Sequence, residues 1–244
     1  LLELYASWGV DFIKCDDICR MDARSSKDEI MMLHRAIEKC GRDVVLSLSP
    51  GPAIVDEHDF YFENANMWRI TDDFWESLLD MFDRCKNWQD YVKDGGYPDC
   101  DMLPLGRLGK GFGQERDTNF TYDEQKTMLT LWTIFRSPLM LGAELTKLDS
   151  KTIELLTNKD VYEMFKKARG ARETMRNDSL IVWQSESADR KYKAIFNITN
   201  KALDVTSDIL EEVQRNAKEL WSGKELGEQK EWKIPAHGVL LFAW

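Results

Sequence analysis

Short apolar segments alternate with longer segments of helical periodicity through the first two thirds of the chain, and this alternation constrains the fold most. Residues 9–17 read as a turn, an apolar strand and a charged strand end. Residues 26–40 carry apolar side chains at helical spacing, and residues 43–49 form a second β-rich segment. Parallel strands need a crossover connection, so strand, helix and strand at this spacing predict a parallel sheet.

The same alternation continues beyond these first three elements. The further predicted elements are strands over residues 65–70 and 139–142 and helices over residues 74–88, 122–135 and 150–156. Four strand-then-helix units in sequence make about half of a (β/α)8 barrel. The sequence therefore predicts an α/β protein built on part of such a barrel.

The pattern changes near Gly170, where β-rich segments separated by polar turns replace the helical periodicity. These segments are residues 180–184, 191–199 and 232–244, and residues 210–218 are a candidate for a short helix. Such a tail predicts a small antiparallel β-sandwich. We therefore expect two domains, a partial barrel over residues 1–168 and an antiparallel β domain over residues 169–244.

Composition disfavours several classes of function. The net charge is −10 and the Lys and Arg residues are scattered, whereas nucleic-acid binding requires a basic surface. No apolar run approaches the ~20 residues of a membrane-spanning helix, so no membrane partner is expected. The five cysteines, an odd number at irregular spacings, match neither a disulfide framework nor a zinc site. We expect them to be unlinked and mostly buried.

The first candidate site is the pair Asp16 and Asp17 at the end of the first predicted strand. A parallel barrel builds its chemistry at the carboxyl ends of its strands. The strand reads as buried, and Lys14, a costly residue to bury, precedes Asp16 by two positions on the same strand face. A nearby ammonium holds a carboxylate ionised, as nucleophilic attack requires. A solvated surface pair or a helix cap is the other interpretation.

The second candidate site is the segment from Trp68 to Asp73. Arg69 lies at the end of a predicted strand, and Asp73 follows it by four residues on the next loop. Two carboxylates at a barrel mouth, one anionic and one poised as an acid, match the chemistry of glycosidic bond cleavage. The other interpretation is a surface loop in which Asp72 caps the following helix.

Three motifs resemble glycoside hydrolase family 27, the family of α-galactosidases and α-N-acetylgalactosaminidases, also called melibiases. They are Lys14-Cys15-Asp16-Asp17, Trp68-Arg69-Ile70-Thr71-Asp72-Asp73 and Gly96-Tyr97-Pro98-Asp99-Cys100-Asp101-Met102-Leu103. The likeness runs over residues 5–161, and residues 235–239 are similar to a family ending. The resemblance implies a TIM-type (β/α)8 barrel represented by its C-terminal half, about strands 4–8, followed by a small antiparallel β-sandwich.

The resemblance implies two catalytic carboxylates. Asp16 would be the nucleophile and Asp73 the acid/base, with Asp72 as the rival for the second role. For a retaining enzyme, we expect the carboxyl groups of Asp16 and Asp73 to lie roughly 5 to 6 Å apart. The implied substrate-binding residues are Lys14, Arg69, Ser49 and Met102, and those that orient the mouth of the site are Asp17, Asp72, Asp99 and Asp101. No metal and no organic cofactor are implied.

Two departures from the family pattern concern the substrate and the extent of the chain. The family's Cys-Glu-Trp signature is replaced by Leu48-Ser49-Pro50. A Ser in place of that Glu resembles the α-N-acetylgalactosaminidases, where it leaves room for a 2-acetamido group. The family's first three barrel strands have no counterpart, so the N-terminal half of the barrel is expected from a longer chain.

The sequence therefore predicts a retaining α-glycosidase that cleaves terminal α-linked galactose, or a galactose-like sugar, from an oligosaccharide or glycoconjugate. α-N-Acetylgalactosaminidase-type specificity and a catalytically impaired carbohydrate-binding relative are two alternatives. A metal-dependent barrel hydrolase is a third, and the lack of clustered His disfavours it. Its ligands would be Asp16, Asp17, Asp99 and Asp101. The family resemblance favours a secreted, periplasmic or lysosome-like compartment.

Overall fold

A computed structural model of the chain describes residues 1–19, 24–49, 51–73, 77–228 and 231–244. The chain divides into two compact units. The first unit consists of Leu1–Trp75 and Tyr91–Asp101, and the second of Glu76–Asp90 and Met102–Trp244. Within the described ranges, no helix has both the length and the apolar character needed to span a membrane.

The first unit is built on a four-stranded parallel sheet, as predicted. Its strands are β1 (Phe12–Cys15), β2 (Val45–Leu48), β3 (Met67–Arg69) and β4 (Tyr97–Asp99), and its helices are α1 (Leu2–Ser7), α2 (Arg24–Lys39) and α3 (His58–Asn64). The spatial order of the strands is the order of the sequence, and every neighbouring pair is parallel. The carboxyl ends of all four strands therefore lie at the same end of the sheet.

Aromatic packing fixes β3 against α3. The Trp68 ring is fully buried and stacks on the Tyr61 ring, with their centroids 5.8 Å apart. Gly96, just before β4, leaves room for this layer, since a Cβ atom there would lie 2.3 Å from the Phe62 ring. A larger residue at this position would push β4 away from β3.

The expectation that the first strand is buried is wrong. Phe12 is 40% exposed and Lys14 is exposed. The reason is position, because in the described part of the chain β1 pairs with β2 alone and so lies at an edge of the sheet. Lys14 is therefore exposed in the structure of this chain.

The second unit combines helices with an antiparallel β-sandwich. The helices are α4 (Leu78–Trp88), α5 (Tyr122–Phe135), α6 (Ser150–Leu156) and α7 (Lys159–Lys167). Two short strands of this unit lie between α4 and α5, and after α7 the chain forms mostly strands. The strands are β5 (Arg107–Leu108), β6 (Arg116–Asp117), β7 (Arg169–Arg176), β8 (Leu180–Glu186), β9 (Lys191–Asn197), β10 (Leu203–Asp204), β11 (Lys218–Glu219), β12 (Lys233–Ile234) and β13 (Val239–Ala243). The main sheet has the order β11-β13-β9-β8-β7.

Both faces of this main sheet are covered. One face forms the sandwich core, in which Trp232 packs edge-on against Phe242 among buried aliphatic side chains. On the other face, Trp183 meets Phe135 of α5, and Phe196 meets Phe82 of α4. Strands buried on both faces contain continuous apolar runs, such as residues 180–183 of β8 and 194–196 of β9, and these runs made the two strands predictable from the sequence.

Some predicted elements differ from those observed. Residues 139–142 form a single parallel bridge between Leu141 and Leu103 instead of a strand, and the preceding Pro138 lacks the N–H that a ladder needs. Residues 210–218 contain turns and the first residue of β11 instead of a helix, and the left-handed φ of 73° at Glu212 interrupts any right-handed helix there. The helix predicted from residue 74 is observed as α4, and residues 74–76 lie outside the described ranges.

Candidate active site

Several polar side chains lie on one face of the parallel sheet, near the carboxyl ends of its strands. Residues directly opposite each other in neighbouring strands point to the same side of a sheet. Lys14 lies opposite Ser47, which lies opposite Met67, and Arg69 lies opposite Asp99. With the alternation of side chains along each strand, this register places all five on one face.

Arg69 is the centre of this group. Its side chain is 2% exposed. The Nη1 atom lies 3.0 Å from the Asp101 Oδ1 atom and donates a hydrogen bond of 3.2 Å to the Ser49 Oγ atom. The Nη2 atom donates a 3.4 Å hydrogen bond to the Asp73 Oδ1 atom. A buried guanidinium needs such partners to offset its lost hydration.

Asp99 and Asp101 follow one another at the end of β4. The Asp101 backbone has a φ of 77°, a left-handed conformation that Asp tolerates better than most residues. Its N–H donates a 2.9 Å hydrogen bond to the Asp99 Oδ1 atom, which holds this turn in place. The turn directs the buried Asp101 carboxylate at Arg69.

Burial raises the pKa of Asp99 to about 6, and the neighbouring Asp101 carboxylate acts in the same direction. The hydrogen bond from the Asp101 N–H and the positive charges of Arg69 and Lys14 oppose the rise. Lys14 thus acts on Asp99 although the two residues belong to the first and last strands of the sheet. The electrostatic influence of Lys14 reaches beyond the loop that holds Asp16.

Asp16 and Asp17 lie on the exposed loop that follows β1. Asp17 has a left-handed φ of 59°, which turns the chain back towards the sheet. The next residue, Ile18, is buried, and its N–H donates a 3.1 Å hydrogen bond to the Ser49 carbonyl. The loop is therefore tied to the end of β2, one strand away from Arg69. Burial and the Asp16 carboxylate raise the pKa of the Cys15 thiol.

Asp72 and Asp73 are both exposed on the loop after β3. The contact with Arg69 is made by Asp73. Gly51 braces the preceding residues, because its N–H donates to the Thr71 carbonyl and a Cβ atom there would lie 2.2 Å from the Arg69 carbonyl oxygen. The neighbouring Pro50, part of the sequence signature, lies outside the described residues. Met102, half-buried, is the first residue of the second unit.

A buried Cys19 and Tyr61 pair supports this edge of the sheet and was not anticipated. A hydrogen bond joins the Cys19 thiol to the Tyr61 hydroxyl, and burial raises the pKa of each group to about 12. The thiol is therefore protonated and unreactive at neutral pH. The five cysteines are thiols that form no disulfide with one another, and three of them are buried.

Metal binding has no visible basis in the described ranges. There, no three His, Cys, Asp or Glu side chains lie close enough together to hold a metal ion. Asp99 and Asp101 face a guanidinium instead, and a buried cation at that position would compete with Arg69.

Family models match most of the chain. The model described as Alpha galactosidase A, of the Melibiase_2 family, matches residues 2–167. A second model, described as the Alpha galactosidase C-terminal beta sandwich domain, matches residues 177–243. The two matches follow the order of the parallel-sheet region and the antiparallel sandwich.

Relatives of known structure or curated function resemble all or most of the chain. A GH27 β-L-arabinopyranosidase from Geobacillus stearothermophilus is 43% identical with a TM-score of 0.90, over 100% of this chain and 59% of that chain. A variant of that enzyme in complex with arabinose is 43% identical with a TM-score of 0.91, over 100% and 60%. Alpha-galactosidase 2 of Arabidopsis thaliana is 27% identical, over 90% of this chain and 55% of its own length. The chain thus spans a little over half of each relative.

Proposed function

Since this chain belongs to glycoside hydrolase family 27, the melibiase family, we propose that it carries the two catalytic carboxylates of a retaining glycosidase for terminal galactose-like sugars. The observation that supports the proposal best is the buried Arg69, held by Ser49 and Asp101 and in contact with Asp73. Arg69 lies near the carboxyl ends of the parallel strands, where the loop that bears Asp16 also begins.

The proposed reaction is a double displacement. The Asp16 carboxylate attacks the anomeric carbon, the glycosidic C–O bond breaks, and Asp73 gives its proton to the leaving oxygen. Asp73, now ionised, takes a proton from water as the water attacks the anomeric carbon. Asp16 leaves, and the sugar is released with its configuration retained. Lys14 and Met102 are proposed substrate-binding residues.

The substrate class is a neutral pyranoside with the galactose arrangement of ring hydroxyls. One candidate is an α-D-galactoside, in line with the curated plant relative. The second candidate is a β-L-arabinopyranoside, favoured by the 43% identity to the Geobacillus enzyme. The two sugars share a ring and differ in the exocyclic hydroxymethyl group, which arabinopyranose lacks. An α-N-acetylgalactosaminide remains a further substrate to test, because Ser49 stands in place of the family's Glu.

The test is a comparison of 4-nitrophenyl glycosides. The chain is mixed with the α-D-galactopyranoside, the β-L-arabinopyranoside and the 2-acetamido galactoside, and nitrophenolate release is followed with and without EDTA. Release that is unaffected by EDTA, with a first-formed sugar of retained configuration by NMR, supports the proposal. Saturable binding without release would favour the carbohydrate-binding alternative, and loss of activity in EDTA would favour the metal-dependent one.

A further inference from the structure

We propose that Ser49 is a positioning residue that holds both catalytic loops, and that it acts through Arg69 instead of reading the sugar's 2-substituent. The inference rests on the proposed function, which makes Asp73 the acid/base and Asp16 the nucleophile. It assigns Ser49 a role different from the substrate contact that the family resemblance implied.

The Ser49 hydroxyl fixes the orientation of Arg69. Its Oγ atom accepts a hydrogen bond from Arg69 Nη1, and Asp101 contacts the same nitrogen. A guanidinium is a rigid planar fork, so two anchors on Nη1 also set the direction of Nη2. Nη2 is the atom that donates to Asp73. The position of the Asp73 carboxylate therefore depends on the Ser49 hydroxyl through one planar group.

The Ser49 backbone holds the other loop. Its N–H donates a 2.9 Å hydrogen bond to the Cys15 carbonyl, and its own carbonyl accepts from the Ile18 N–H. These bonds lie on either side of Asp16 in the sequence. One residue is thus bonded to both ends of the Asp16 turn and to the guanidinium that contacts Asp73.

The burial of Ser49 argues against direct contact with sugar. Its side chain is 2% exposed, and the hydroxyl is already engaged by Arg69. A sugar substituent would have to displace Arg69 to reach it. A residue that touches the reacting group only through another side chain is expected to affect proton transfer more than substrate binding.

The chain supplies a matched control two residues before Ser49. Ser47 lies on β2 and is fully buried, and in the described part of the chain its hydroxyl has no hydrogen-bond partner. Ser47→Ala and Ser49→Ala remove the same atom from neighbouring buried positions. They differ in whether an Arg69 contact is lost. Ser49→Thr keeps the hydroxyl and tests rescue.

The kinetic readout is the dependence on the leaving group. Dinitrophenyl glycosides need little protonation of the departing oxygen, whereas methyl glycosides depend on the acid. Because a general acid contributes roughly 10²- to 10⁴-fold, we expect Ser49→Ala to lower kcat at least about tenfold more on the methyl glycoside than on the dinitrophenyl glycoside. KM should change little, the loss should be the same with a 2-hydroxyl or a 2-deoxy sugar, and Ser47→Ala should show no such difference between the two leaving groups.

A second readout needs no turnover and so separates this inference from the proposed function. In the wild type, hindered rotation of the anchored Arg69 guanidinium should give separate ¹⁵N signals for Nη1 and Nη2. Ser49→Ala should speed this rotation and broaden the two signals, whereas Ser47→Ala and Ser49→Thr should leave them as in the wild type. Unchanged signals in Ser49→Ala, or a loss confined to substrates with a 2-hydroxyl, would overturn the inference. An inactive wild type with the expected signals would overturn the proposed function alone.

Discussion

At the scale of residues, a buried arginine organises the carboxylates of the proposed site. Arg69 contacts Ser49, Asp101 and Asp73 from the end of one short strand. The exposed Asp16 belongs to a loop that the Ser49 backbone ties to the sheet. Buried residues thus hold two exposed acids, which is how a rigid scaffold presents reactive groups on loops.

Asp16→Asn should abolish turnover and spare binding. An amide cannot form the glycosyl-enzyme ester, so we expect kcat to fall by at least about 10³-fold while sugar affinity changes little. Turnover by nitrophenolate release and affinity by calorimetry measure the two effects. Asp28→Asn, on an exposed turn of α2, is the matched control and should leave both unchanged. Retained activity in Asp16→Asn would remove Asp16 as the nucleophile.

The raised pKa of Asp99 leads to a prediction of how the free energy of unfolding depends on pH. Burial raises its folded pKa from 3.8 to about 6, so between these values the folded state binds more protons than the unfolded state. The free energy of unfolding must then fall as pH rises through this window, by up to roughly 3 kcal/mol from this group.

Urea unfolding from pH 4 to pH 7 tests this linkage. Asp99→Asn keeps an oxygen to accept the Asp101 N–H but cannot ionise. The wild type should lose stability relative to this variant as pH rises, and the difference should level off above the folded pKa. A pH-independent difference between the two proteins would show that Asp99 does not titrate in this window.

Sequence reasoning found many of these residues but not their connections. The order of motifs placed Arg69 and Asp73 together, and the structure brings them into contact. The bond between Ser49 and Arg69 depends on strand register, which composition and periodicity do not reveal. The hydrogen bond between Cys19 and Tyr61 joins a loop to a helix and leaves no local signal. Lys14 was misjudged because an edge strand and a buried strand have similar sequences.

At the scale of elements, segments with a clear periodicity were predictable, and a short strand that contains a proline was not. The predicted helices over Tyr122–Phe135 and Ser150–Leu156 coincide with α5 and α6. β4 was missed because it has three residues, one of them a proline. Its pairing with β3 supplies the missing stabilisation. Neighbouring strands, not intrinsic propensity, make such a segment a strand.

The start of α5 makes a prediction about stability. The Thr121 Oγ1 atom accepts from the Glu124 N–H, and the Glu124 carboxylate accepts from the Thr121 N–H, forming a capping box. Thr121→Ala should lower the free energy of unfolding by about 1 kcal/mol, whereas Thr121→Ser should be nearly neutral. Chemical denaturation of the three proteins measures this. Equal losses in both variants would mean that the hydroxyl does not cap the helix.

At the scale of the whole molecule, the chain pairs a parallel-sheet region with an antiparallel sandwich. This order could be predicted from the sequence, because alternating strand and helix patterns are followed by β-rich segments. The second compact unit contains Glu76–Asp90, which includes α4, in addition to Met102–Trp244. The packing of Phe82 in α4 against Phe196 in β9 explains why α4 belongs to this unit, and no local sequence pattern predicts such a contact. The proposed boundary between residues 168 and 169 therefore stays a prediction.

The acidic character of the chain leads to a prediction of how kcat/KM depends on salt concentration. The net charge is −10, but the proposed substrates are neutral and cannot be steered by it. Raising NaCl from about 0.1 M to about 1 M shortens the screening length from about 10 Å to about 3 Å. We expect kcat/KM to change less than about twofold over this range. A steep fall would indicate a charged substrate.

The central claim is that Asp16 forms a covalent bond to the sugar, and active-site trapping tests it most directly. A 2-deoxy-2-fluoro galactosyl or arabinosyl fluoride slows both displacement steps and lets the glycosyl-enzyme accumulate, since its leaving group needs little acid assistance. Peptide mass spectrometry should then find a single label on Asp16 in the wild type and none in Asp16→Asn. A label on Asp17, Asp72 or Asp73, or a label that persists in Asp16→Asn, would contradict the account.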